Sequence, residues 1–219
     1  MPTSTGRDGP DGTKQRIVEA ALATLKREGF AGTSARAIAR EGDFNQALIF
    51  YHFGSVNDLL LAALDASSKE RMTRYRDGIG GVSTLPQLVA VATEIFREDL
   101  AGGHVTVLAE LIAGSSSSPE LGPEIVARLD QFMAFAEEAV GSAGKDTPIG
   151  SLLPASESAY AIVALYLGLE LLTHLDGDTS RAEGLFARAG QLATVLGGLF
   201  GSARPVRPED PSNVTGGVR

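Results

Sequence analysis

At 219 residues, 43% of them hydrophobic, the chain has material for one large domain or two small ones, and without Cys it forms neither disulfides nor thiolate zinc sites. That composition fits a reducing cytoplasm. A formal charge of −8 argues against nucleic acid for the chain as a whole, but residues 1–55 hold seven Lys/Arg and six Asp/Glu (+1), against twelve and twenty-one in residues 56–219 (−9).

In chain order, residues 1–12 are polar and rich in Gly, Ser and Thr, and read as a disordered arm. They carry no apolar run, so a secretory signal is not expected. A first helix begins after Thr13, with Ile17, Val18, Ala21, Leu22 and Leu25 at helical spacing and Gly29 as its stop. Thr33 or Ser34 caps a short second helix that sets Ala35, Ile38 and Ala39 on one face. Gly42 and Asp43, residue types that tolerate left-handed backbone, break the chain. Asn45 is a good N-cap for a third helix, "FNQALIFYHFGS", which ends at Gly54. Ser55 and Asp58 then form a capping-box-like start to a long amphipathic helix reaching about Arg76.

Three short helices, the last two joined by a turn of about four residues, have the layout of a helix-turn-helix. Further helical stretches fall at about 84–101, 104–113, 121–141, 156–175 and 180–200. Gly102-Gly103, "GSSSSP", "GSAGKDTPIG" at 141–150 and Gly177 separate them. No window alternates as a strand would, so the expected fold is all-α with about nine helices. Residues 13–55 form the head, 56–201 the body, and 202–219 a disordered tail. The apolar run at Ala159–Leu172 is shorter than a membrane span and contains Glu170, so a buried helix is expected and no membrane is called for.

The third helix has no Lys or Arg. Phe44, Leu48, Ile49 and Phe53 can pack inward, which leaves Asn45, Gln46, Ala47, Tyr51 and His52 at its start and on its exposed side. Such a face suits a solvated surface and a reading surface alike. Gln bonds adenine N6 and N7 together in the major groove, Tyr and His donate to phosphate, and a helix N-terminus favours an anion.

With Gly29-Phe30, Thr33-Ser34, Ile38-Ala39, Phe50-Tyr51-His52-Phe53 and Leu59-Leu60 in this order, the stretch resembles the DNA-binding head of the tetracycline-repressor (TetR) family of bacterial regulators. The resemblance covers about 50 residues; the rest fits that family's body in length and helix count. It implies that Thr33, Ser34 and Arg36 contact phosphate, that Asn45, Gln46 and Ala47 enter the major groove, and that Phe50, Tyr51 and His52 face backbone or bases. It further implies a homodimer that binds a palindromic operator and is released by a small-molecule effector. Three positions depart from the family's pattern: Asp43 stands where glycine is common, Phe50 where tyrosine is common, and Val56 where lysine is common. The last two remove plausible phosphate contacts, for which Arg7, Lys14 or Arg16 could compensate.

In the body, the 156–175 helix is apolar nearly all round, and the 180–200 helix alternates small and large apolar residues from Ala182 to Gly197. Either the two form a four-helix interface with a second copy, or they make a buried hairpin within one chain. Phe96, His104, Leu108, Glu110, Phe132, Met133, Tyr166 and Glu170 lie on the helices that surround ligand pockets in the family. Tyr166, Glu170 and Ile162 share a face. Glu170 pairs with His104 or a ligand, or else reaches solvent while Met133 and the aromatics fill core. Few polar groups in apolar walls point to an apolar or amphipathic effector.

Nothing points to catalysis, a cofactor or a metal: His52, His104 and His174 lack ligand spacing, and no phosphate loop or nucleophile elbow occurs. The competing reading is a helical regulator that binds a partner protein through the same head and lacks sequence-specific DNA binding.

Overall fold

The structure, a computed structural model, describes residues 10–144 and 153–200. The first nine residues of the expected arm, the segment 145–152 and the expected tail lie outside them. Among the described residues there are nine α-helices: α1 (Pro10–Gly32), α2 (Ala35–Glu41), α3 (Ala47–Phe53), α4 (Val56–Ile79), α5 (Leu85–Gly102), α6 (His104–Gly114), α7 (Leu121–Gly144), α8 (Ala155–Asp176) and α9 (Ser180–Phe200).

α1 starts three residues ahead of the expected point, so residues 10–12 are helix and not arm. Pro10 has the fixed φ that a first helical turn accepts, and Asp11 lies in that turn. The helix proper ends at Gly29, whose φ of 69° and ψ of 177° break its path. Ser34 accepts from the Ala37 N–H at 3.2 Å to cap α2, while Thr33 donates to the Gly29 carbonyl at 2.6 Å.

The turn between α2 and α3 corrects one expectation. Only Asp43 takes left-handed backbone, at φ 50°, whereas Gly42 sits at φ −91°. Gly42 is needed for space: a Cβ there would lie 2.2 Å from the Phe44 ring and 2.9 Å from Ala20 Cβ. The Arg16 guanidinium donates to the Gly42 carbonyl at 3.3 Å, which fastens the turn to α1. Asn45 Oδ1 accepts from the Ala47 N–H at 2.9 Å, and Gln46 already has helical backbone. At the next joint Ser55 Oγ accepts from the Asp58 N–H at 3.0 Å and donates to its carboxylate at 2.6 Å.

Head and body share one core. Ile17, Leu25, Ile38 and Ile49 of the head meet Leu59, Leu60 and Leu64 of α4, Val107 and Leu111 of α6, and Leu121 and Ile125 of α7. Each such side chain contributes about 1.5–3 kcal/mol on burial, so α3 is held from beneath by Ile49 with Phe44, Leu48 and Phe53 around it. α6 also clasps the end of α1. The Phe30 N–H donates to Glu110 Oε2 at 2.7 Å, and the Phe30 ring lies where a Cβ on Gly114 would stand.

α8 and α9 pack on different neighbours, α8 on α7 and α9 on α5, so the hairpin expected as one alternative is not how they are buried. Nor is α8 buried all round. It is long and apolar enough to cross a membrane by length and composition, yet its buried side faces α7 through Ala159 and Val163 and its other side is exposed.

Candidate nucleic-acid interface and body cavity

The outer side of α3 is built from residues that its core face does not use. Asn45, Gln46 and Ala47 are exposed, Phe50 and Tyr51 are 51% and 82% exposed, and His52 is half-buried. Tyr51 and His52 meet edge to face at 4.9 Å, so the two rings stand as one unit. Asn45 spends its carbonyl oxygen on the Ala47 amide, which leaves Gln46 as the uncommitted amide side chain at the helix start. At the start of α2, Ser34 and Arg36 are exposed and Thr33 is half-buried, with the Ser34 oxygen taken up by its cap.

Several cations of the head are already engaged. Arg27 pairs with Glu41 at 2.6 Å and Arg40 with Glu28 at 3.0 Å, a link between α1 and α2. Hydrogen bonds from Arg27 hold the Glu28 carboxyl below its usual range. Arg16, one proposed compensation for the missing lysine, is turned to Gly42, and Arg7 lies outside the described residues. Val56 packs half-buried against the shared core, a use of that position that a lysine would share through its stem alone. The head therefore presents shape, amide and aromatic groups more than charge.

The body holds a cavity of about 250 Å³ walled by α4 to α9. Its lining is apolar apart from Arg71, Tyr75 and Tyr166. Behind these lies a buried polar network. Arg71 donates through Nη2 to Asp99 at 2.7 Å and through Nε to the Tyr75 hydroxyl at 3.0 Å. Tyr75 and Tyr166 both donate to the same Asp99 oxygen, the latter at 2.8 Å. The Arg71 guanidinium also lies over the Phe132 and Tyr75 rings, at 5.2 and 5.6 Å. Burial alone would lower the Arg71 pKa, but Tyr75, Asp99 and Glu170 together hold it above the usual value, so it stays charged. Burial raises both tyrosines, which keeps them as donors.

Of the residues expected to surround a ligand, Leu108, Phe132 and Tyr166 line this cavity. The other five do not. Phe96 is buried behind the wall, its ring 5.9 Å from Tyr166 and 5.1 Å from Phe186. Met133 packs into the α7–α8 contact, and Glu110 is drawn to the Phe30 amide at the head. His104 is tied to Ser67 at 2.9 Å and Arg74 at 3.3 Å, not to Glu170. Since arginine can only donate, His104 Nε2 accepts and Nδ1 carries the proton. Burial and the neighbouring Arg71 lower its pKa, in keeping with that neutral form.

Glu170 neither reaches solvent nor pairs with His104. It is 1% exposed, and its nearest cation is Arg71 Nη2 at 3.9 Å, close enough for Coulomb attraction and too far for a hydrogen bond. Neither of its carboxylate oxygens has a hydrogen-bond partner. Burial pushes its pKa from 4.5 up to about 7, with Arg71 opposing and Asp99 adding to the rise.

Arg71, Tyr75 and Asp99 were not among the expected site residues. A signal was present: Leu64, Ser68, Arg71 and Tyr75 share one stripe of α4, and Phe96 and Asp99 one stripe of α5, so each charge interrupts an apolar face.

Residues 17–63 match the family model described as "Bacterial regulatory proteins, tetR family". Over 188 residues the chain is 20% identical to the HTH-type transcriptional regulator UidR of Escherichia coli K12, covering 86% of this chain and 93% of that protein. Its fold is similar to that of a putative transcriptional regulator from Pseudomonas aeruginosa PAO1, with a TM-score of 0.69, 24% identity and 90% and 94% of the two chains covered. It is also similar in fold to the transcriptional regulator FadR of Bacillus subtilis, solved in complex with stearoyl-CoA, with a TM-score of 0.67, 16% identity and 82% and 96% covered.

Proposed function

The chain belongs to the tetR family of bacterial regulators, and on that premise we propose that it works in the cytoplasm as a homodimeric repressor of a palindromic operator, released by a small apolar or amphipathic effector. Residues 13–55 are the DNA-binding unit and residues 56–201 carry the effector site and the dimer contact. The observation that carries this reading is the exposed face of α3, with Tyr51 82% open, standing on a fully buried Ile49. A rigid base and uncommitted polar groups suit a helix that enters the major groove. Gln46 bonds base edges there, Ala47 lets the backbone approach, and Phe50 offers a ring for a thymine methyl or sugar. Tyr51, His52, Thr33, Ser34 and Arg36 meet the phosphates on either side.

The dimer contact runs through α8 and α9. Among the described residues, ten of the fifteen large apolar side chains left exposed lie on these two helices, so the unburied surface is concentrated there. On α8, Leu165, Leu172 and Leu175 continue a stripe with Ala161 and Gly168; on α9, Leu185, Leu192, Val195 and Leu199 repeat at three, four and seven. A two-fold axis through them sets two copies of α3 about 34–36 Å apart, one turn of duplex.

The cavity is the effector site. Its walls come from α4, which starts in the head's core, and from α6, which clasps α1, so an occupant that fits one head spacing better shifts the population of the other. A 100-fold loss of operator affinity needs a coupling of about 2.7 kcal/mol. Selection of bound sequences from random duplex DNA tests the proposal: recovery of a two-fold symmetric site supports it, and recovery of no consensus removes it.

A further inference from the structure

The cavity holds more than apolar space. Among the described residues Arg71 is the single cation lining it; two buried carboxylates, Asp99 and Glu170, stand behind that guanidinium, and Arg74 Nη2 lies 4.0 Å from the other Asp99 oxygen. Asp99 is fully buried and takes the Arg71, Tyr75 and Tyr166 hydrogen bonds. Glu170 is left beside the same guanidinium with no hydrogen bond of its own. Glu170 does not itself line the cavity, so an entrant feels its charge beside the Arg71 guanidinium that does.

Three classes of entrant can be compared. An ammonium head would meet Arg71 first, and the aromatic faces that would hold it, Phe132 and Tyr75, already have the guanidinium over them. A carboxylate would be a third anion beside two cations, Arg71 and Arg74, and would leave the buried group with a net negative charge. A neutral molecule meets neither penalty. The polar side chains on the wall are donors: both tyrosine hydroxyls are committed, whereas of the five guanidinium N–H groups of Arg71 one on Nε and one on Nη2 are, so the guanidinium keeps donor capacity for an acceptor. Donor capacity on one guanidinium in an otherwise apolar chamber suits a hydrogen-bond acceptor on a mainly apolar molecule.

We propose that the cavity selects a neutral, mainly apolar molecule with a hydrogen-bond acceptor such as an ester or ketone oxygen, held by Arg71, and that Glu170 is the specificity residue that turns away the corresponding acid. This rests on the cavity being the effector site, and it adds what that site admits. The groups facing Glu170 are Arg71 of α4, Asp99 of α5 and Tyr166 of its own helix. Beyond Asp99 stand Arg74 and the neutral His104, and α7 faces the guanidinium with the Phe132 ring.

The test is calorimetric titration of the full chain with methyl octanoate, octanoate and octylamine, in wild type and in Glu170→Gln. At about pH 8, where Glu170 is mostly ionised, methyl octanoate binds at least roughly tenfold tighter than octanoate or octylamine. Lowering the solution to about pH 6 protonates Glu170, so octanoate gains while methyl octanoate stays flat. In Glu170→Gln the preference of ester over acid shrinks to roughly threefold or less, and the pH dependence of octanoate is lost. Failure of all three probes to bind, equal or tighter binding of octanoate or octylamine to wild type, or an unchanged preference in Glu170→Gln each overturns the proposal. Operator release is scored separately: methyl octanoate that binds selectively and leaves DNA bound refutes the effector reading while the selectivity stands.

Discussion

The two ends of α4 handle polarity in opposite ways. At its amino end the head keeps Leu59, Leu60 and the Ile49 contact inside and leaves Gln46, Phe50 and Tyr51 facing water. At its far end Arg71 is turned inward with Asp99 and Glu170, beside a chamber of apolar walls. Exposed polar groups keep their hydration until a partner replaces it, so they add little to stability and can be changed without unfolding the head. Buried ones have lost that hydration already, so each depends on its neighbours and each is coupled to what enters beside it. One helix thus joins an exposed face of polar and aromatic groups to a buried polar network beside a cavity.

The largest effect expected from this contrast is on binding without folding. On the proposed function, Gln46→Ala with Tyr51→Ala removes contacts worth roughly 1–3 kcal/mol apiece in both copies of the proposed dimer, so operator affinity falls by about 100-fold or more. The melting temperature stays within error, because both side chains are exposed. Fluorescence anisotropy on the selected site, run beside a thermal melt, measures the two; a large drop in the melt would mean that this face is part of the core.

Next is the buried carboxylate. Its folded pKa of about 7 lies above the ordinary 4.5, so the folded state holds the proton more tightly. The favourable contribution is therefore complete below about pH 4.5 and is lost as pH rises through about 7, leaving an ionisation penalty on the order of 3 kcal/mol above it. Glu170→Gln should accordingly stabilise the protein near pH 8 and have little effect near pH 4.5. Denaturant titrations at the two pH values check this, and a gain independent of pH would remove the ionisation account.

A smaller loss is expected where the two regions meet. Glu110→Ala deletes the carboxylate that accepts the Phe30 N–H at 2.7 Å, worth about 1.5–3 kcal/mol at most for a half-exposed charged acceptor. Amide exchange at Phe30 should quicken while that of Ile49 is unchanged. Comparable quickening at both would show that α6 steadies the whole head and not only the end of α1.

The smallest change concerns charge at the surface. Val56→Lys restores a cation beside the DNA face, and the slope of log K against log salt should steepen by up to about 0.9 per copy. A slope as shallow as that of the native chain would mean that position 56 does not reach phosphate.

Local chemistry alone determined where the helices run. Of the two expected candidates Thr33 and Ser34 it is Ser34 that caps α2, and Ser55 caps α4 as expected. Asn45 accepts the Ala47 N–H from one residue ahead of the Gln46 cap position. The helices α5 to α9 begin and end within a few residues of their expected bounds, because caps and glycine stops act on the nearest turn of backbone. The inward set of α3 was legible for the same reason, since its spacing is a property of one helix. The cavity was not. Arg71 and Asp99 are 28 positions apart, and Glu110 and Phe30 are 80 apart, so neither pairing leaves a trace in sequence spacing. Which of several plausible partners a buried charge obtains depends on how α4, α5, α6 and α8 cross, and only packing in three dimensions fixes those crossings.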